Sequence, residues 1–233
     1  MPIELNHHRV LVLGGSGELG SRIARELLAR NAAVFLAGRD PARLQARSIE
    51  LGGDVGTATA DLRQPDGPAT AVQAAVESLG GLDGVVNAAG VVAFGPFSDL
   101  SDAVLEELVA VDFTGPLRVM RAALPHLADG GGWIVNLTGL VAELPTAGVA
   151  AYSAVKAGLS AASTAIAREA RRSGIHLLDA RPPHTETGLA TRSIAGTAPP
   201  MKPGLDPDAV AATIVAGLEA GKRELAAADF TAT

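Results

Sequence analysis

Short apolar runs rich in branched residues alternate with stretches of helical period from one end of the sequence to the other. The runs His8–Leu13, Ala33–Ala37, Val55–Ala60, Leu82–Asn87, Gly131–Thr138 and Ile175–Arg181 lack the polar/apolar alternation of half-exposed strands, as expected of strands buried on both faces. Between them apolar positions recur at helical spacing: Leu19, Ile23 and Leu27; Ala71, Val72, Ala75, Val76 and Leu79; Val210, Ile214 and Leu218. Further helices are expected after Asp40–Pro41, a cap followed by a first-turn proline, and over Ser101–Leu127 and Val149–Arg172. Arg223–Ala227 reads as a seventh strand. Helices between such strands imply an α/β fold, a doubly wound parallel sheet of about seven strands with helices on both faces (Rossmann-type). In that architecture ligands lie outside the carboxyl ends of the strands. With 233 residues and no linker or repeat, the chain reads as a single domain over 1–233. The irregular stretch 188–207, which contains four prolines, is a candidate substrate loop.

Composition removes several function classes. A net charge of −6 lacks the basic footprint of a nucleic-acid binder. The absence of cysteine excludes disulfides, thiolate zinc sites and a cysteine nucleophile, and no metal site is expected. The segment Met1–His8 is short and polar for a signal peptide, and no run of about eighteen apolar residues is present, so neither export nor a membrane is expected. The expected location is cytoplasmic.

Gly14-Gly15-Ser16-Gly17-Glu18-Leu19-Gly20 falls between the first strand and the first helix. Glycines there let the backbone approach a diphosphate, and the helix start offers unpaired N–H groups and a partial positive charge. Gly14, Ser16, Gly17, Glu18, Leu19 and Gly20 are therefore expected to receive the phosphates of a dinucleotide. At the end of the second strand, where an NAD-binding chain carries an acid, this one has Gly38-Arg39. A guanidinium suits a 2′-phosphate, so NADP is expected over NAD, with Asp40 read as a helix cap.

The single tyrosine, Tyr152, lies four residues before Lys156, one of only three lysines, so both share a helix face. A free phenol has a pKa near 10 and exchanges protons poorly at neutral pH. An adjacent ammonium is expected to lower it and make Tyr152 a general acid or base.

With these features in place the chain resembles the short-chain dehydrogenase/reductase family over nearly its whole length. The resemblance rests on the glycine loop, Asp61-Leu62, Asn87-Ala88-Ala89-Gly90, Tyr152-x-x-x-Lys156 and the segment Pro182 to Thr187. It implies that Asp61 and Leu62 sit at the adenine, that Asn87, Ala88 and Ala89 support the cofactor, and that Lys156 also holds the nicotinamide ribose. It implies too that Pro182, Thr185 and Thr187 flank the nicotinamide, and that Tyr152 protonates a substrate oxygen as hydride arrives. The chain departs from the family pattern at four places. The catalytic serine, thirteen residues before the tyrosine, is Gly139 here, which leaves Thr138 as a substitute only if the strand end twists. Asp112 stands for the asparagine that completes the catalytic set; Pro116, four residues on, removes the helical bond to its carbonyl. Glu18 replaces the middle glycine of the loop, and Pro183 replaces the glycine of a Pro-Gly pair.

His184 follows that pair and can donate to a substrate oxygen; His7 and His8 are expected to be exposed. The expected activity is NADP-dependent transfer of hydride to or from a small carbonyl or alcohol substrate. Its pocket is expected to be lined by Val92, Leu140, Val141, Leu144 and the 188–207 loop, which suggests hydrophobic bulk. Two other readings stand beside it: a cofactor-binding sensor or interaction protein with little turnover, motivated by Gly139, and a non-redox dehydratase or epimerase using Tyr152 as a base. A sensor has no need of the phenol or the lysine. The small residues around Ala150–Ala170 allow close helix approach, and with the resemblance they imply a homodimer or homotetramer.

Overall fold

The computed structural model describes residues 2–127 and 130–230. Its strands are β1 (Arg9–Leu13), β2 (Ala33–Gly38), β3 (Gly56–Thr59), β4 (Gly84–Asn87), β5 (Trp133–Leu137), β6 (His176–Ala180) and β7 (Glu224–Leu225). They form one seven-stranded sheet in the order β3-β2-β1-β4-β5-β6-β7, and every pair is parallel. The order reverses between β1 and β4, so the connections after these two strands part and leave a crevice at their carboxyl ends. Leu13 pairs with Asn87, Asn87 with Asn136, and Leu137 with Ala180, which brings four strand ends to one edge.

The helices are α1 (Glu18–Leu28), α2 (Pro41–Glu50), α3 (Gly67–Leu79), α4 (Asp102–Val109), α5 (Gly115–Leu127), α6 (Ala150–Ala170) and α7 (Pro207–Glu219). Strand β1 shows why its run does not alternate. Val10 and Val12 pack on one face with Ile23 and Leu27 of α1 and Ile214 and Leu218 of α7. Leu11 and Leu13 pack on the other with Ala71, Val119, Met120 and Leu159 from α3, α5 and α6. None of these helices is long and apolar enough to cross a membrane.

Two expectations are corrected here. The helix expected over Ser101–Leu127 is interrupted by a π-helical segment over Ala110–Thr114, where the Gly115 N–H bonds to the Ala110 carbonyl. Pro116 cannot donate to the Asp112 carbonyl, and the ladder widens by one residue there. Gly115 permits this, since a Cβ would lie 2.8 Å from both the Ala110 oxygen and the Leu62 Cβ. His8 is half-buried, not exposed: its Nδ1 accepts from Trp133 Nε1 at 3.0 Å, although His7 is exposed.

The 188–207 stretch is tied down at two points beside the sheet edge. Ile194 N donates to Val92 O at 2.8 Å and Phe94 N to Ala195 O at 2.9 Å. Leu205 N donates to His184 O at 2.8 Å and Glu186 N to Leu205 O at 3.0 Å.

Candidate active site

The turn between β1 and α1 depends on glycine at Gly14 and Gly20. Gly14 has φ +76, and a Cβ on it would approach the Ala89 nitrogen to 2.5 Å; one on Gly20 would lie 2.4 Å from the Gly14 oxygen. The loop thus packs on Ala88-Ala89, which follow β4. Helix α1 begins after Gly17 with no side-chain cap, so its positive end opens on the crevice. Glu18, in the first turn, is bound by Arg22 and Arg47. Burial pushes its carboxyl up, but the two guanidiniums outweigh that and hold it below the usual range. Its charge is offset within the protein, and Ser16 and Leu19 complete the turn.

At the end of β2, a Cβ on Gly38 would lie 3.1 Å from Ser16 Oγ. Arg39 is exposed, with Nη1 3.5 Å from Glu107 Oε1. Asp40 caps α2, accepting from Arg43 N at 3.1 Å. The Arg43 side chain, not singled out from the sequence, donates to Ser16 O at 3.1 Å. The four-residue spacing of Arg43 and Arg47 was the available signal, since it places both on one helix face. Asp61 is clamped by Arg63, also missed, with Nη2 to Oδ2 at 2.6 Å; this guanidinium holds the carboxyl below its usual range. Leu62 is in the core, under Gly115. Asn87 is buried and donates to Asn136 Oδ1 at 2.7 Å, tying β4 to β5.

The π turn carries Asp112 to the interior, where it is fully buried. Its Oδ1 lies 3.1 Å from Lys156 Nζ, which also donates to the Leu137 carbonyl at 3.0 Å. The Val91 N–H faces the carboxylate at 3.3 and 3.4 Å. Burial pulls the Lys156 ammonium down; Asp112 and Tyr152 outweigh it and push the group up. The Tyr152 ring, half-buried, has its centroid 5.7 Å from Nζ. Burial pushes this phenol up, Lys156 pulls it down and Asp112 pushes it up again. The result is upward, contrary to the lowering expected from the adjacent ammonium. The expectation counted the lysine without the burial of the phenol, which is the larger effect, and without the carboxylate that adds to it.

Thr138 does not stand in for the absent serine. Its hydroxyl is buried and donates to Asp179 Oδ1 at 2.5 Å, while Asp179 Oδ2 accepts from Ser160 Oγ at 2.6 Å and Arg181 Nε at 2.9 Å. Gly139 has φ +80, so a side chain there would be strained although only Pro182 O, at 3.7 Å, lies nearby. Pro182 O accepts from Leu140 N at 3.0 Å and fixes this loop to the end of β6. Beyond it, Thr185 Oγ1 bonds to Pro183 O at 2.9 Å and Thr187 Oγ1 accepts from Leu189 N at 3.4 Å. His184 Nε2 lies 3.5 Å from Glu186 Oε1, a partner outside the Tyr152 group. No cluster of metal-ligating side chains exists among the described residues.

The crevice fits a dinucleotide at three points: a turn that a Cβ at Gly14 or Gly20 would fill, an uncapped helix start, and Arg43 bonded to the Ser16 carbonyl, with the exposed Arg39 following Gly38 at the end of β2. Tyr152 and Lys156 stand at the same sheet edge.

Comparison with known proteins agrees. A family model described as short chain dehydrogenase matches residues 8–197. The acetoacetyl-CoA reductase of Allochromatium vinosum is 30% identical over 227 residues, covering 91% of this chain and 92% of that protein. Among solved structures, the alcohol dehydrogenase of Thermococcus sibiricus complexed with 5-hydroxy-NADP superposes with a TM-score of 0.84 at 24% identity, covering 93% of this chain and 94% of the other. The 3-ketoacyl-(acyl-carrier-protein) reductase of Brucella melitensis complexed with NADH gives 0.86 at 23% identity, with 95% and 96% covered.

Removing the Thr138 hydroxyl leaves Asp179 short of one buried donor. Thr138→Val is expected to lower stability by about 1–3 kcal/mol in urea unfolding and to leave NADPH affinity unchanged. Unchanged stability with altered cofactor binding would place the hydroxyl in the crevice instead.

Proposed function

The chain belongs to the short-chain dehydrogenase/reductase family, and from that premise we propose that it is an NADP-dependent carbonyl reductase or alcohol dehydrogenase with Tyr152 as general acid and base. One observation carries this reading: the chain's only phenol stands one helical turn from a buried lysine, at the sheet edge where the glycine turn opens. The cofactor, when bound, supplies hydride to the carbonyl carbon. Tyr152 gives its hydroxyl proton to the carbonyl oxygen and recovers it from solvent. Lys156, fixed by Asp112 and the Leu137 carbonyl, keeps a donor for the ribose and holds its charge beside the phenol. Gly14, Gly17, Gly20 and the start of α1 take the diphosphate, and Ser16, Arg39 and Arg43 take the 2′-phosphate. Asp61 and Leu62 lie at the adenine, Asn87, Ala88 and Ala89 support the cofactor, and Pro182, Thr185 and Thr187 flank the nicotinamide.

Val92, Leu140, Val141 and the exposed Leu144 make the substrate side apolar, which suits a small carbonyl compound with hydrophobic bulk. The 188–207 stretch covers it within the same domain, and a reducing cytoplasm suits a chain without cysteine. A second copy of the chain is the partner read here. Phe97, two-thirds exposed, rims an apolar hollow of about 480 Å³ formed with Leu105, Val109, Phe113, Ala154 and Gly158, between α4 and α6. Sedimentation equilibrium is expected to show a dimer or tetramer that Ala154→Glu dissociates; a wild-type monomer contradicts this.

The activity is tested by screening ketones with apolar substituents for NADPH oxidation. Tyr152→Phe is expected to lower turnover by about 10²–10⁴-fold. Equal rates in the two proteins would remove the phenol from the reaction. The missing hydroxyl at Gly139 favours a second reading, a cofactor-binding sensor, which would appear as tight NADPH binding without turnover of any carbonyl. For the cofactor, replacing Arg39 and Arg43 together by alanine is expected to weaken NADPH binding at least about tenfold, with little effect on NADH, since each charged hydrogen bond is worth about 1.5–3 kcal/mol. Equal losses for both cofactors would contradict the 2′-phosphate assignment.

A further inference from the structure

Resting on the reading of NADP as the cofactor, we propose that Glu107 is a specificity-determining residue of the cofactor site, whose carboxylate bridges Arg39 and Arg63 and holds the place that the 2′-phosphate takes. The placement comes from the sheet. Gly38 pairs with Thr59, so β2 and β3 end side by side, and Arg39 and Arg63 follow those two ends. In this fold the adenosine ribose is read at the end of the second strand. Glu107 reaches the same point from α4, on the crossover that follows β4. A single oxygen, Oε1, lies 3.5 Å from Arg39 Nη1 and 3.6 Å from Arg63 Nη1.

These are long contacts for opposite charges, which close to about 2.7–2.9 Å when a guanidinium and a carboxylate bond well. Arg63 makes close bonds to Asp61 instead, Nη2 to Oδ2 at 2.6 Å and Nε to both oxygens at 3.0 Å. Arg39 has no such partner: among the described residues Glu107 is the only carboxylate within 4.0 Å of its guanidinium. The other acids at this end of the crevice are engaged at closer range. Asp40 caps α2 through Arg43 N, and Glu18 is bound by Arg22 and Arg47. Glu107 therefore sits between two guanidiniums without being tightly bound by either, and Arg39, about half exposed, is open to a ligand. A phosphate brings more charge and three oxygens, so it displaces the carboxylate from Arg39 and bonds there at shorter range. NAD carries a hydroxyl at that position and leaves the Arg39–Glu107 contact in place. The carboxylate thus lowers affinity for NADP alone.

Calorimetric titration of the whole protein with NADP and with NAD reads this without turnover. Glu107→Gln is expected to tighten NADP binding about two- to tenfold, the range of an exposed ion pair and the repulsion it adds, with NAD little changed. Glu107→Ala carries the same expectation and decides the matter if the amide variant does not fold. In an Arg39→Ala background the gain is expected to shrink, because the carboxylate no longer has that guanidinium to occupy. Unchanged or weaker NADP binding in the Glu107 variants overturns the proposal. An equal gain for NADP and NAD, or an undiminished gain without Arg39, also overturns it, since either would show a diffuse negative charge rather than an occupant of the phosphate's place. The two readings fail separately. A wild type that prefers NAD contradicts the cofactor assignment, while a gain for NADP in Glu107→Gln would still place the 2′-phosphate against this carboxylate. A wild type that prefers NADP, with no gain in the variants, keeps the cofactor assignment and removes the role of Glu107.

Discussion

A lysine ammonium taken out of water needs a counter-charge, because an unpaired buried ion costs about 3–5 kcal/mol when its partner is lost. Lys156 meets that demand with Asp112 and the Leu137 carbonyl, and much of the surrounding backbone follows from it. Asp112 reaches the interior on a π turn, set by Pro116 and given room by Gly115 against Leu62. Gly90 has no side chain to press on the carboxylate. The β4 end, the β5 end, α6 and the π segment are therefore held in one arrangement, and Tyr152 is placed by it.

The opposite end of the crevice solves the inverse problem. Phosphates need uncompensated positive groups, and the α1 start supplies them without a cap. Glu18 would oppose an anion there, and only one of its partners, Arg22 four residues on, is visible in the sequence. In the folded protein Arg22 and Arg47 bind it, so an acid in the glycine turn becomes a brace between α1 and α2.

The sheet was legible because strands buried on both faces carry a distinctive pattern, and even the two-residue β7 falls inside the expected Arg223–Ala227. The glycine turn was legible for a similar reason, since only glycine satisfies both the Gly14 φ and the contact with Ala89. What was not legible depends on pairs distant in sequence. The direction in which Tyr152 is pushed requires knowing first that the phenol is buried, and then that Asp112 stands against Lys156. The role of Thr138 requires the neighbouring-strand register that sets it beside Asp179. His8 is drawn inward by Trp133, a residue on the far side of the sequence. The break in the long helix was half-visible: Pro116 marked the place, but the widened turn also needs the Gly115–Leu62 contact.

Hydride transfer between a nicotinamide and a carbonyl carbon in this crevice, with Tyr152 exchanging the proton as proposed, leaves an isotopic trace. The most direct test uses NADPH carrying deuterium at the transferable position of the nicotinamide, a ketone with an apolar substituent, and mass spectrometry of the product. The account requires one deuterium on the new carbinol carbon and an equal amount of oxidised cofactor. Product formed without deuterium and without cofactor oxidation would show non-redox chemistry at Tyr152 and contradict it.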